Sequence, residues 1–141
     1  MVPSDRRYST KHVWAKTDAE MFLIGVSEHF LRPIKNILYV DLAEEDDPLF
    51  DTVAAGEIEH LDGVSDVFPP GNCTVIEANT SVIDDPNILV HDPYNKGWLL
   101  RVDMDDPEVY DSLMNAQEYE AFVKTHPVKA QPEQETESSE E

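Results

Sequence analysis

The 141-residue sequence predicts a mainly β fold, a small barrel or sandwich with helices packed outside it at the C-terminal end. Three observations predict it. Short apolar segments recur between turns rich in Pro, Gly, Asn and Asp. Apolar and polar residues alternate on both sides of Gly56 and again from Val64 to Phe68. After Asp106 the apolar spacing changes from two to that of a helix.

Taken in order, His12–Trp14 and Met21–Val26 are two apolar stretches joined by Thr17, Asp18 and Ala19, which suits a hairpin. Ser27 before Glu28 reads as a helix start. Phe30, Leu31 and Ile34 supply its apolar side, and Pro33 limits it to a turn or two. Ile37–Leu42 reads as a largely buried strand. Glu44–Pro48 is an acidic surface turn whose spacing fits no calcium loop, because no Gly stands where such a loop turns. Val53, Ala55, Ile58 and Leu61 form one alternating run, and Pro69 to Asn72 make the turn that follows the next. Thr74–Ala78 is a strand, Asp84 to Pro86 opens a short helix or loop, and Trp98–Val102 is the last strand.

Asp106, Pro107 and Glu108 place a cap, a first-turn proline and an acid at a helix start, with Val109 and Leu113 following at i and i+4. Asn115 and Glu118 make a capping-box pair for a helix with Tyr119, Phe122 and Val123 on one side. Nothing periodic follows Pro127. The chain therefore divides into a leader at 1–7, one domain at 8–127 and a disordered acidic tail at 128–141.

Thirty acids against ten bases give a formal charge of −20. The twelve residues from Ala130 carry five glutamates and no base, so −15 remains with the rest. Such a surface repels phosphate backbones and anionic lipid, and it steers a basic partner toward it. It also keeps a chain soluble and favours a monomer. The single cysteine, Cys73, cannot form an intramolecular disulfide and reads as a small strand residue. With no long apolar run and no signal-peptide core at Met1 to Tyr8, no membrane span and a cytoplasmic location are expected. No Ser/His/Asp set, phosphate loop or zinc motif is visible.

The run Asn87-Ile88-Leu89-Val90-His91-Asp92-Pro93-Tyr94-Asn95-Lys96-Gly97-Trp98-Leu99 resembles a stretch of the H proteins of the glycine cleavage system that reads NP-x-L-V-N-x-DPY-x-x-GW. Tyr8, His12 and Trp14 resemble that family's YT-x-x-HEW, and Val64-Ser65-Asp66-Val67-Phe68 with Pro70 is similar to its VSD-V/I-Y-x-P. The helical end from Asp106 to Phe122 is similar too, so the resemblance covers residues 8 to 124. It implies a lipoyl-domain-like fold, two sheets in a flattened barrel or sandwich with helices appended. It also implies a carrier rather than a catalyst. In the family, a lipoyl group on a hairpin lysine shuttles aminomethyl and electrons among the P, T and L proteins.

In the family that lysine lies in E-S-V-K-A-V-S-D. Here the stretch is Glu59-His60-Leu61-Asp62-Gly63-Val64-Ser65-Asp66, and its ends set a register that puts Asp62 at the lysine position. No lysine lies between residues 36 and 95. The resemblance departs elsewhere as well, with Val13 for the Glu of HEW, Cys73 in a turn where glycine is expected, and Lys35 for a glycine before a strand. The expectation is an H-like protein that is not lipoylated and holds no cofactor. It would act as a binding or regulatory module for the P, T and L proteins or lipoate-attaching enzymes. Glu59, His60, Leu61, Asp62, Gly63, Ser65 and Asp66 form the candidate docking hairpin. Two other readings remain: a component that assists aminomethyl transfer with free lipoate, and a remnant without a partner. His60 and Asp62, two apart and so on one face of a strand, are a weaker candidate for an acid/base pair or metal site than for an exposed polar hairpin tip.

Overall fold

A computed structural model describes residues 2–126. Among the described residues, nine strands form two antiparallel sheets packed as a flattened sandwich, with five short helices around them. The larger sheet runs in the order β1 (Arg7–Tyr8), β2 (Val13–Asp18), β3 (Met21–Val26), β9 (Leu100–Met104), β8 (Cys73–Ala78), β5 (Pro48–Leu49). The smaller has β4 (Ile37–Leu42), β6 (Gly56–His60) and β7 (Gly63–Val67), with β6 in the middle. The helices are α1 (Glu28–Leu31), α2 (Thr80–Asp84), α3 (Asn87–His91), α4 (Glu108–Ser112) and α5 (Ala116–Thr125). None of the described helices is long and apolar enough to cross a membrane.

Alternation explains the packing. Ile24 and Val102 from one sheet and Val40, Ile58 and Val67 from the other are fully or almost fully buried in a single apolar cluster. Trp14 pairs with Gly25 across β2 and β3, and a Cβ on Gly25 would sit 2.5 Å from the indole Cζ2. A glycine is thus what lets the indole lie flat across its neighbour.

A second cluster joins Val2, Tyr8, Trp14 and Tyr119 outside the sandwich. Tyr8 stacks on Tyr119 of α5 at 4.5 Å between ring centres. Tyr8 and Met114 exchange both main-chain hydrogen bonds, at 2.8 and 2.9 Å. Asn115 and Glu118 make the reciprocal capping box expected of them, which fixes where α5 begins.

Several boundaries differ from the sequence reading. Ile37–Leu42 is not a largely buried strand: Leu38, Tyr39 and Asp41 are exposed, Val40 and Leu42 are buried in the core, and Ile37 packs against it half-buried. The cause is its place at the edge of a sheet with one open face. The last strand starts at Leu100, two residues later than expected, and α2 and β5 had no clear sequence signal. Pro107 rather than Asp106 is the residue before α4, although Asp106 Oδ1 still accepts from the Glu108 N–H at 3.1 Å.

Within residues 1–7, set apart above as a leader, Val2 and Arg6 are buried against the domain while Ser4 and Asp5 are exposed. The Arg6 guanidinium lies 4.6 Å from the Trp14 ring centre, where apolar contact and cation–π attraction hold them. The tail expected at 128–141 lies outside the described residues.

Candidate functional site

The β6–β7 hairpin is built from two five-residue strands in register from Gly56↔Val67 to His60↔Gly63. Leu61 and Asp62 are its two-residue turn. Gly63 has φ 142, a conformation that disfavours a side chain, so glycine is required where the chain leaves the turn. Period-two alternation then sorts the hairpin's side chains. Ile58, His60, Ser65 and Val67 point into the protein, whereas Glu57, Glu59, Val64 and Asp66 are exposed.

The candidate docking residues therefore split. Glu59, Leu61, Asp62 and Asp66 are available at the surface, and Leu61 is 64% exposed. Gly63 is half-buried. His60 is only 4% exposed and Ser65 3%. His60 Nε2 lies 3.0 Å from Ser65 Oγ, while His60 Nδ1 has no hydrogen-bond partner among the described residues. Burial pulls the His60 imidazole below the usual histidine range, and the Asp62 charge pulls the other way.

This corrects two readings. Asp62 stands in the turn and not on a strand, so it does not share a strand face with His60. The tip is polar and exposed at Asp62 but not at His60. The signal was present in the sequence, because His60 has the same parity as Ile58. Among the described residues, no group of three His, Cys, Asp or Glu is placed to hold a metal. The Cys73 thiol is buried in β8 and pushed up to about 12, chiefly by burial, which keeps it protonated and unreactive.

Tertiary structure adds a residue that the sequence reading did not connect with the hairpin. The Leu61 N–H donates to the carbonyl of Lys35 at 3.3 Å. Asn36 follows with φ 54, a left-handed conformation that asparagine tolerates. The exposed Lys35 is thereby held next to the hairpin tip although it lies 26 positions before Leu61 in the chain.

A second polar group sits beneath α5. The Tyr119 hydroxyl lies 2.7 Å from His12 Nδ1 and 2.7 Å from Ser27 Oγ. Ser27 Oγ also accepts from the Phe30 N–H and so caps α1. Burial holds His12 down to about 4 and raises Tyr119. Both side chains are neutral near pH 7, which suits a structural tie between α1, α5 and the start of β2.

The model of a family described as glycine cleavage H-protein matches residues 6–126. The glycine cleavage system H protein of Anaeromyxobacter sp. (strain K) is 32% identical over 123 residues, covering 87% of this chain and 96% of the relative. That of Acaryochloris marina is also 32% identical, over 122 residues, covering 86% and 95%. The crystal structure of a glycine cleavage system H protein from Mycobacterium marinum superposes with a TM-score of 0.76 at 25% identity, covering 89% of this chain and 98% of that one. On the match across the folded residues and the identity to these relatives, the chain belongs to the glycine cleavage H-protein family.

Proposed function

We propose that this family member is not lipoylated and works as a binding module. It docks through the β6–β7 hairpin on proteins that recognise the H-protein surface, the P, T and L proteins or lipoate-attaching enzymes. Its role is binding rather than catalysis. The observation that carries the reading is Asp62, which the flanking Glu59 and Val64-Ser65-Asp66 align with the attachment lysine and which is exposed in the two-residue turn.

Lipoate is held in the family by an amide to a primary amine. A carboxylate offers no such amine, and the hairpin has no lysine, so its residues do not fit the group. The intact exposed hairpin supports a retained docking role, because a turn tip is where a partner can reach both side chains and main chain.

The test is an intact mass of the protein from its native cells, followed by peptide mapping of Lys35. The bare chain is expected. A lipoyl adduct on Lys35, the lysine beside the tip, or on any other lysine would overturn the reading.

A further inference from the structure

The open face of the β4–β6–β7 sheet has an unusual composition. Its two central cross-strand rows are Tyr39–Glu59–Val64 and Asp41–Glu57–Asp66. All six side chains are exposed. The second row sets three carboxylates directly opposite one another across neighbouring strands, an arrangement that costs stability. The three strands and the turn contain five acids and not one Lys or Arg. None of the five forms an ion pair among the described residues.

The face is also apolar at its upper end. Tyr39 is 52% exposed and Val64 45%, flanking Glu59 in one row, and Leu61 lies just beyond at the tip. Beside Tyr39 and Asp41 opens a cleft of about 540 Å³ that is also lined by Glu44, Glu45, Ala78 and Ile83 and by Glu77, whose Oε1 lies 4.0 Å from Arg101 Nε. A recess of this size takes a long side chain. Apolar contact beside carboxylates without an ion-pair partner is the pattern of a docking surface, and what they lack is positive charge, since the Lys35 near the tip pairs with none of them among the described residues.

We propose that this face binds a partner protein whose surface presents Lys or Arg side chains around an apolar contact, with one basic side chain entering the cleft beside Tyr39. The proposal rests on the hairpin being a docking element and names the chemistry of what docks. The chain's own C-terminal residues are not the occupant, since residues 130–141 carry five glutamates and no base. The uncompensated carboxylate row is the stability cost of keeping the face ready. A basic partner relieves it, which couples docking to neutralisation.

The test uses the full chain, isotope-labelled, and two probes: a peptide of alternating Arg and Leu, and the same peptide with Glu for Arg. NMR titration near physiological salt is expected to show the Arg peptide shifting amides of residues 39–45, 57–66 and 77–78, and the Glu peptide shifting none. The double variant Glu57→Gln/Asp66→Asn is expected to weaken the Arg peptide at least about tenfold. The same variant is expected to raise Tm by roughly 1–4 °C in the absence of peptide, because it relieves the like-charge row. Arg-peptide shifts scattered over the whole surface, unchanged affinity in the variant, or no binding at millimolar peptide would each overturn the proposal. A lipoyl adduct found by mass would sink the module reading but leave these titrations unchanged, so the two failures are distinguishable.

Discussion

His60 Nε2 lies 3.0 Å from Ser65 Oγ across the β6–β7 hairpin, with both side chains turned into the protein. This contact ties the two strands beneath the tip, and its loss would leave a buried imidazole with neither nitrogen partnered, because Nδ1 has none among the described residues. Ser65→Ala is therefore expected to destabilise the protein by about 1–2 kcal/mol in urea unfolding. No change in the unfolding midpoint would show that the pair contributes nothing.

Acid should weaken the fold through its histidines. His12, His29 and His60 are all held below the usual histidine range when folded, burial being the first cause in each, and His12 falls to about 4. On acidification the unfolded chain takes up these protons first, near pH 6.5. The stabilisation is complete above that pH and is lost as pH falls toward about 4. His12 has φ 68, so His12→Asn keeps a residue suited to that backbone. Between about pH 7.5 and about pH 5, wild type is expected to lose roughly 1–2 kcal/mol more than the variant, after allowance for partial exposure of the ring. Equal losses would place the acid sensitivity elsewhere.

Gly25→Ala is expected to cost about 1–3 kcal/mol, since its Cβ would meet Trp14 at 2.5 Å and the indole is fixed by packing on all sides. Thermal melting reads this directly. A variant as stable as wild type would mean that Trp14 can shift without loss.

Asn115→Ala removes one half of the capping box that starts α5 and is expected to cost about 1 kcal/mol. The loss should be accompanied by increased hydrogen exchange at Glu118, whose N–H donates to Asn115 Oδ1 at 2.8 Å. Unchanged exchange at Glu118 would count against the cap.

Asp62→Lys tests whether one residue separates this chain from a carrier. The side chain is exposed in a turn, so stability should stay within about 0.5 kcal/mol of wild type. Incubated with a lipoate-attaching enzyme, lipoate and ATP, the variant is expected to gain a lipoyl group at residue 62 while wild type gains none. Modification of wild type, or failure of a folded variant to be modified, would count against the register that places Asp62.

Residue types and their spacing were enough to determine the β architecture and the α5 start at Asn115, and the motifs that carry the family resemblance supplied the hairpin around Asp62. These are local signals: alternation, caps and turns act over two to four residues and need no knowledge of what packs above them. Tertiary structure decided the rest. It placed His60 and Ser65 together on the inner face that they share with Ile58 and Val67, a face to which parity with Ile58 had pointed but whose cross-strand contact only the pairing of β6 with β7 makes. It left Ile37–Leu42 half exposed, because an edge strand with one open face cannot bury both sides. It brought Lys35 to the hairpin tip and aligned Asp41, Glu57 and Asp66 in one row, since cross-strand neighbours follow from register between segments far apart in the chain.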